Sequence, residues 1–159
     1  MLITSSRKPS AGTRTLCKHL ASFFACEYAN RGKMGIGEVL ALSHGAPLII
    51  VGEYHGNPGS MVFYDHEGYC VLSLHISVLS AAFSYPRKSD SIPSIRGDGE
   101  LVPVVSDIFC PGCPKDSPAL ALLSLDISGD KMDFKEQEKV LFSLRIKSHK
   151  IYNGDEDCS

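Results

Sequence analysis

No stretch of this 159-residue chain approaches the roughly 20 consecutive apolar residues that a membrane-crossing helix needs. Its start also lacks the apolar run of a secretory leader, because Arg7, Lys8 and Arg14 interrupt it. A cytoplasmic protein with no membrane partner is the expectation. Glycines at the spacing that cradles a nucleotide phosphate are missing ahead of Lys8, and no dinucleotide fingerprint follows a strand. Gly35-Ile-Gly37 is too short a match to count. The histidines are dispersed, so no Ser-His-Asp or Cys-His set follows from position. The chain is therefore not expected to be an enzyme, and neither a metal nor a cofactor is expected. A large net charge is absent as well. The balance of −2 at pH 7 argues against a protein that coats nucleic acid indiscriminately.

The charge that is present is unevenly placed. Residues 1–33 hold six basic residues, Arg7, Lys8, Arg14, Lys18, Arg31 and Lys33, against one acid, Glu27. The other 126 residues keep ten of the sixteen basic and seventeen of the eighteen acidic residues. A basic patch on an acidic body is built to meet a polyanion at one place. The six cysteines, Cys17, Cys26, Cys70, Cys110, Cys113 and Cys158, are scattered through a chain large and apolar enough to fold without staples. They are expected as buried free thiols. Cys110-Pro-Gly-Cys113 has the spacing of a redox or zinc pair. It falls at the end of a predicted helix, ahead of Pro114 and Pro118, and two further ligands at a recognised spacing are missing.

The first eighteen residues show how the basic patch is displayed. Leu2–Ser5 reads as a strand; Ser5-Ser-Arg-Lys-Pro-Ser10 stops it, and a helix follows over 13–24. Arg14 and Lys18 lie four apart on its polar face. Such an opening offers an anion the unpaired N–H groups of a helix terminus beside hydroxyls and fixed positive charge. Ser10 and Thr13 also suit a helix cap, with Pro9 fixing the entry. A short strand at 26–29, a helix over 35–44 and a strongly apolar strand at 47–54 come next. Residues 55–59 form a turn, and 61–65 and 69–78 alternate as antiparallel strands. Residues 84–97, with Pro86, Pro93 and Gly97, mark a boundary. Beyond it a helix is expected near 101–109, with Pro103 in its first turn, then strands at 119–127 and 140–151. No internal sequence repeat is evident, and the acidic end of the chain reads as frayed.

If the first three strands run parallel, loops 6–12, 30–33 and 55–59 leave one edge of the sheet. That edge gathers Arg7, Lys8, Arg31 and Lys33 with Ser10 and Asn30. Tyr28 and Tyr54 precede two of these loops and are expected to pack in the core. Gly32, Gly56, Pro58 and Gly59 are expected to serve loop geometry.

The same loops carry a family resemblance. Ser5-Ser-Arg-Lys-Pro-Ser10, Tyr28-Ala-Asn-Arg-Gly-Lys33 and Gly52-Glu-Tyr-His-Gly-Asn-Pro-Gly59 resemble the successive blocks of the Brix domain of ribosome-assembly proteins, most closely its short archaeal members. Those members resemble the Brix protein of the small-subunit processome. His55 stands where many members place an arginine. The resemblance implies an α/β sandwich in two halves with mixed sheets, each half similar to the anticodon-binding domain of class II aminoacyl-tRNA synthetases. The N-terminal half would cover about 1–83, the C-terminal half about 97–152, and an acidic tail 153–159. It further implies a non-enzymatic factor in precursor ribosomal RNA maturation and small-subunit assembly. Its RNA contacts would come from Arg7, Lys8, Ser10, Arg14, Lys18, Asn30, Arg31 and Lys33, with Pro9, Gly32, Gly56, Pro58 and Gly59 shaping the loops. Precursor ribosomal RNA is the expected partner, with ribosomal proteins or other assembly factors as further ones. Two alternatives use the same rim or body: a protein-interaction module of an assembly complex, and an enzyme binding a nucleotide phosphate.

Overall fold

The structure is a computed structural model that describes residues 1–79, 83–86, 93–109 and 122–153. Its elements run β1 (Leu2–Ser5), α1 (Ala11–Phe23), β2 (Glu27–Tyr28), α2 (Ile36–Leu42), β3 (Leu48–Tyr54), β4 (Asn57–Tyr64) and β5 (Cys70–Val78). After these come β6 (Ser94–Gly97), α3 (Leu101–Phe109), β7 (Leu123–Ser128), β8 (Lys131–Glu136) and β9 (Lys139–Ile151).

Instead of separate sheets in two halves, one mixed nine-stranded sheet runs β2-β1-β3-β4-β5-β9-β8-β7-β6. Its middle is an antiparallel seam in which Leu72 faces Ile151 and Val78 faces Leu144. The two sides of that seam repeat one plan. In each, a strand, a helix and a parallel partner strand lead into two antiparallel strands: β1-α1-β3-β4-β5 and β6-α3-β7-β8-β9. The first repeat carries β2 and α2 as an insertion between α1 and β3.

Residue pattern explains the layering. Strand β1 and the first four residues of β3 are buried on both faces, as parallel strands are; Leu48–Val51 reads as an unbroken apolar run, while β1 follows Leu2 and Ile3 with buried Thr4 and Ser5. Leu2, Leu48 and Ile50 join Val39 of α2 in a small cluster. Ile3, Ile49 and Val51 point the other way, into the main core under α1. The antiparallel strands alternate instead. Leu72, Leu74 and Ile76 of β5 and Met132 and Phe134 of β8 face that core, while His75 and Lys131 are exposed. Helices α1 and α3 share this face: Phe24 stacks on Phe109 at 4.0 Å, and Phe23 meets Phe134 edge-on at 5.1 Å. Phe134 and Phe142 stack at 4.3 Å behind them. The core is therefore shared by both repeats.

Several expectations are corrected. The second repeat is fuller than expected, because β6 and β8 had no apolar run long enough to announce them. The turn expected over 55–59 shrinks to His55-Gly56, and Asn57 already begins β4. Cys17 and Cys26 are free thiols, but Cys70 is disulfide-bonded, against the expectation of thiols throughout. Cys110, Cys113, Cys158 and the end of the acidic tail lie outside the described residues. Among the described residues no helix is long and apolar enough to cross a membrane.

Candidate functional site

Because β1 pairs in parallel with both β2 and β3, the chain leaves all three strands at one edge. Lys8 sits there in the left-handed region, at φ 53°. It opens into a groove of about 550 Å³ together with Arg14 and Lys18 of α1. Asn30, Arg31 and Lys33 line the same groove from the β2–α2 loop, with Pro9, Tyr28 and Gly32. Arg14 and Lys18 reach it together because a four-residue step keeps them on one helix face.

The loop opposite is held by its own bonds. Arg31 Nε donates to the Met34 carbonyl at 3.0 Å, and the Met34 amide donates back to the Arg31 carbonyl at 3.0 Å. Gly32 adopts φ +56°, where a side chain would be strained. The Tyr28 hydroxyl donates to Asn30 Oδ1 at 3.1 Å. Burial pushes the Tyr28 phenol up, and nearby Arg14 pulls it down. Among the described residues none of Lys8, Arg14, Lys18, Arg31 and Lys33 takes part in a salt bridge. Five cations in one open groove, with no carboxylate among its described lining residues, make a place where a polyanion relieves mutual repulsion.

Two expected members stand elsewhere. Arg7 does not line the groove, and its Nη2 lies 4.0 Å from where a side chain at Gly35 would begin, beside the start of α2. Ser10 is occupied at the α1 terminus. Its hydroxyl accepts from the Thr13 amide at 3.3 Å, and its own amide donates to Glu53 Oε1 at 2.5 Å. The Thr13 hydroxyl donates to the same carboxylate oxygen at 2.6 Å. The anion at this terminus is therefore the chain's own Glu53, which corrects the expectation of unpaired N–H groups there. The bonds from Thr13 and Ser10 hold the Glu53 carboxyl below the usual carboxylate range.

The third loop is a two-residue hairpin turn with His55 at φ 52° and Gly56 at φ 77°, the mirror-type turn that matches strand twist. Gly59 permits a close crossing, since a Cβ there would lie 2.7 Å from Tyr54 Cβ. Pro58 packs toward Gly12 of α1, its Cδ 3.9 Å from where a side chain would start. Tyr54 is 68% exposed, not packed in the core, and its ring meets His55 edge-on at 4.1 Å. The extra residue of the bulge is Gly59 of β4, so β3 keeps its alternation: Glu53 follows Val51 toward α1, and Tyr54 falls on the opposite face with Leu48 and Ile50. The pair borders a second cleft of about 620 Å³ that also reaches His75 and Lys147. Sequence reasoning missed Glu53, and one signal could have found it: a lone acid ending an otherwise apolar strand.

Elsewhere chemistry is sparse. Among the described residues no three His, Cys, Asp or Glu side chains converge as metal ligands. Burial pushes the Cys17 thiol up to about 12 and the Cys26 thiol to about 11, which keeps both protonated and unreactive.

Known proteins resemble this chain over nearly its whole length. It is 46% identical over 154 residues to a protein of Methanococcoides burtonii named "Probable Brix domain-containing ribosomal biogenesis protein", covering 94% of this chain and 96% of that one. A protein of the same name from Methanosarcina barkeri is 38% identical over 167 residues, covering 96% of this chain and 100% of its own length. Among solved structures, that of Mil, an archaeal Imp4-like protein, superposes with a TM-score of 0.74 at 24% identity, over 96% of this chain and 99% of Mil. A ribosomal biogenesis protein from Aeropyrum pernix gives 0.72 at 19% identity, over 91% of this chain and 93% of that one. At such identities these two structures establish a shared fold alone. No family model matches the chain.

Proposed function

The chain belongs to the Brix domain-containing ribosomal biogenesis proteins of archaea, and from that premise we propose that it holds precursor ribosomal RNA in the groove of Lys8, Arg14, Lys18, Arg31 and Lys33. The observation that carries this reading is the convergence, from three separated segments of sequence, of five cations that have no salt-bridge partner among the described residues. Phosphates would supply most of the affinity, and shape or unpaired bases the selectivity. Asn30 offers an amide for a base or sugar edge beside the Arg31 loop. Arg7, outside the groove, would meet RNA only where a strand passes on toward α2, and Ser10, Pro9, Gly32, Gly56, Pro58 and Gly59 would shape the loops.

Two finer points belong to this proposal. The repeated β-α-β-β-β plan supports dividing the chain into an N-terminal and a C-terminal half, each with the layout expected of a synthetase anticodon-binding domain. The resemblance of the three loop blocks supports small-subunit RNA as the target. No catalytic step is assigned.

Fluorescence anisotropy with labelled small-subunit ribosomal RNA fragments and scrambled controls, titrated with salt, tests the reading. Five to six contacts at ~0.7 per phosphate predict a log–log slope of about −3 to −4. Arg14→Ala with Arg31→Ala should remove two contacts and flatten the slope by about 1.4. Unchanged affinity and slope in a folded double variant would sink the proposal.

A second reading has one observation behind it. An apolar groove of about 620 Å³, lined by Val71, Val104, Ile108 and Ile151 with Asp65 and Asp107, suits a basic segment of a ribosomal protein or assembly factor. Absence of RNA binding at moderate salt would favour it.

A further inference from the structure

The α1 terminus and the β3–β4 hairpin are joined by one side chain. Helix α1 has no acidic residue in its own first turn, so its dipole finds no local counter-charge. Glu53 supplies one from 40 and 43 positions away, accepting from the Thr13 hydroxyl and the Ser10 amide through a single oxygen. Thr13 is fully buried, which fixes its hydroxyl in place. Gly52 lets Ser60 approach so closely that a Cβ there would lie 2.3 Å from Ser60 Oγ. Glu53 follows Ile49 and Val51 on the face of β3 that meets α1.

A backbone amide, a hydroxyl and a helix dipole directed at one anionic oxygen are what a phosphate receives at a helix terminus. The site lies at the edge that bears the cationic groove, two residues from Lys8 in the same loop. We propose that Glu53 is an internal stand-in for phosphate that closes the α1 terminus to a nucleic-acid backbone and so confines bound RNA to the groove of Lys8, Arg14, Lys18, Arg31 and Lys33. Glu53 is a positioning residue in this scheme, because it acts by excluding one path for the strand. The inference rests on the RNA reading above for its consequence, but not for its chemistry.

Glu53→Ala empties the terminus, whereas Glu53→Gln keeps it filled, since the amide oxygen still accepts both hydrogen bonds. Glu53→Ala should bind a short single-stranded RNA several-fold more tightly at low salt than Glu53→Gln does. Its salt slope should steepen by about 0.7, the increment for one added phosphate. A role confined to tying the hairpin down would lower the melting temperature of Glu53→Ala while leaving its RNA affinity and salt slope equal to those of Glu53→Gln, and that result overturns the proposal. A second measurement needs no RNA. Inorganic phosphate, against chloride at matched ionic strength, should raise the melting temperature of Glu53→Ala more than that of the unaltered protein. Equal shifts in both overturn the stand-in. A larger shift in the variant upholds it even where the unaltered chain binds no RNA, so the two readings fail separately.

Discussion

The two repeats share one plan and treat charge in opposite ways. In the first, the connection from β1 to α1 carries Arg7 and Lys8, and its groove cations have no carboxylate partner among the described residues. In the second, the matching connection from β6 to α3 is Asp98-Gly99-Glu100, and Glu100 meets His149 at 2.6 Å. Four cations of the second repeat are paired. Arg96 and Lys135 share Asp126 at 3.1 and 2.8 Å, Lys131 meets Asp133 at 3.5 Å, and Arg145 meets Asp130 at 3.6 Å. Since β3 and β7 run in opposite directions across the seam, the two connections also leave opposite edges of the sheet. One topology thus presents a bare basic edge at one end and a neutralised one at the other. Charge placement, not fold, separates a candidate polyanion site from a plain surface.

The comparison breaks most visibly if the repeats unfold separately. Phe142 of β9 stacks on Phe134 of its own repeat and meets His19, Phe23 and Phe83 at 5.9, 6.4 and 5.3 Å. Phe142→Ala should cost about 3–5 kcal/mol. Urea unfolding followed by separate probes in each repeat should stay in a single transition; two transitions would show that the aromatic core does not unite them.

A smaller effect concerns one histidine. His19 of α1 is buried, stacks on Tyr85 at 3.9 Å, and has no hydrogen-bond partner at Nδ1 among the described residues. Burial lowers its pKa, while a hydrogen bond to the Ser84 backbone pulls the other way. The unfolded chain then binds the proton more readily than the folded one. Its contribution to stability is present above the ordinary pKa of 6.5 and is lost as pH falls through the lowered folded value. Stability measured from pH 7 to 5 should therefore decline, and His19→Phe should flatten that decline. An identical pH profile in the variant would remove His19 from the account.

The smallest effect sharpens the contrast of charge. Arg96→Ala removes an exposed pair and should cost no more than about 1 kcal/mol. RNA affinity and salt slope should not change at all. A loss comparable to that of the Arg14 and Arg31 variant would mean that the second repeat binds RNA too.

Much of the first repeat was legible because its signals are local. Leu48–Val51 is too apolar to be anything but a doubly covered strand, and Ser10 with Thr13 announces the start of α1. The shared edge followed from parallel β1, β2 and β3 alone. The second repeat was harder. Strand β8 buries only Met132 and Phe134, and β6 has four residues flanked by Pro93 and Asp98. Both are stabilised by neighbours far along the chain. The exposed Tyr54 and the closed α1 terminus both depend on what lies against the end of β3, which no residue type signals by itself. Pairing of β5 with β9 was invisible for the same reason, since it depends on the register of strands more than sixty residues apart.

That seam has a consequence for synthesis. Strand β5 is complete at Val78, but its partner is complete only at Ile151. At roughly 5–20 residues per second, several seconds pass in which the growing chain shows its surroundings a nine-residue strand paired with β4 on one edge and bare on the other. The strand alternates Leu72, Leu74 and Ile76 with Ser73, His75 and Ser77, so its outer face is polar while its edge hydrogen bonds wait. The serines and the histidine are what stand between a nascent chain and its neighbours during that interval.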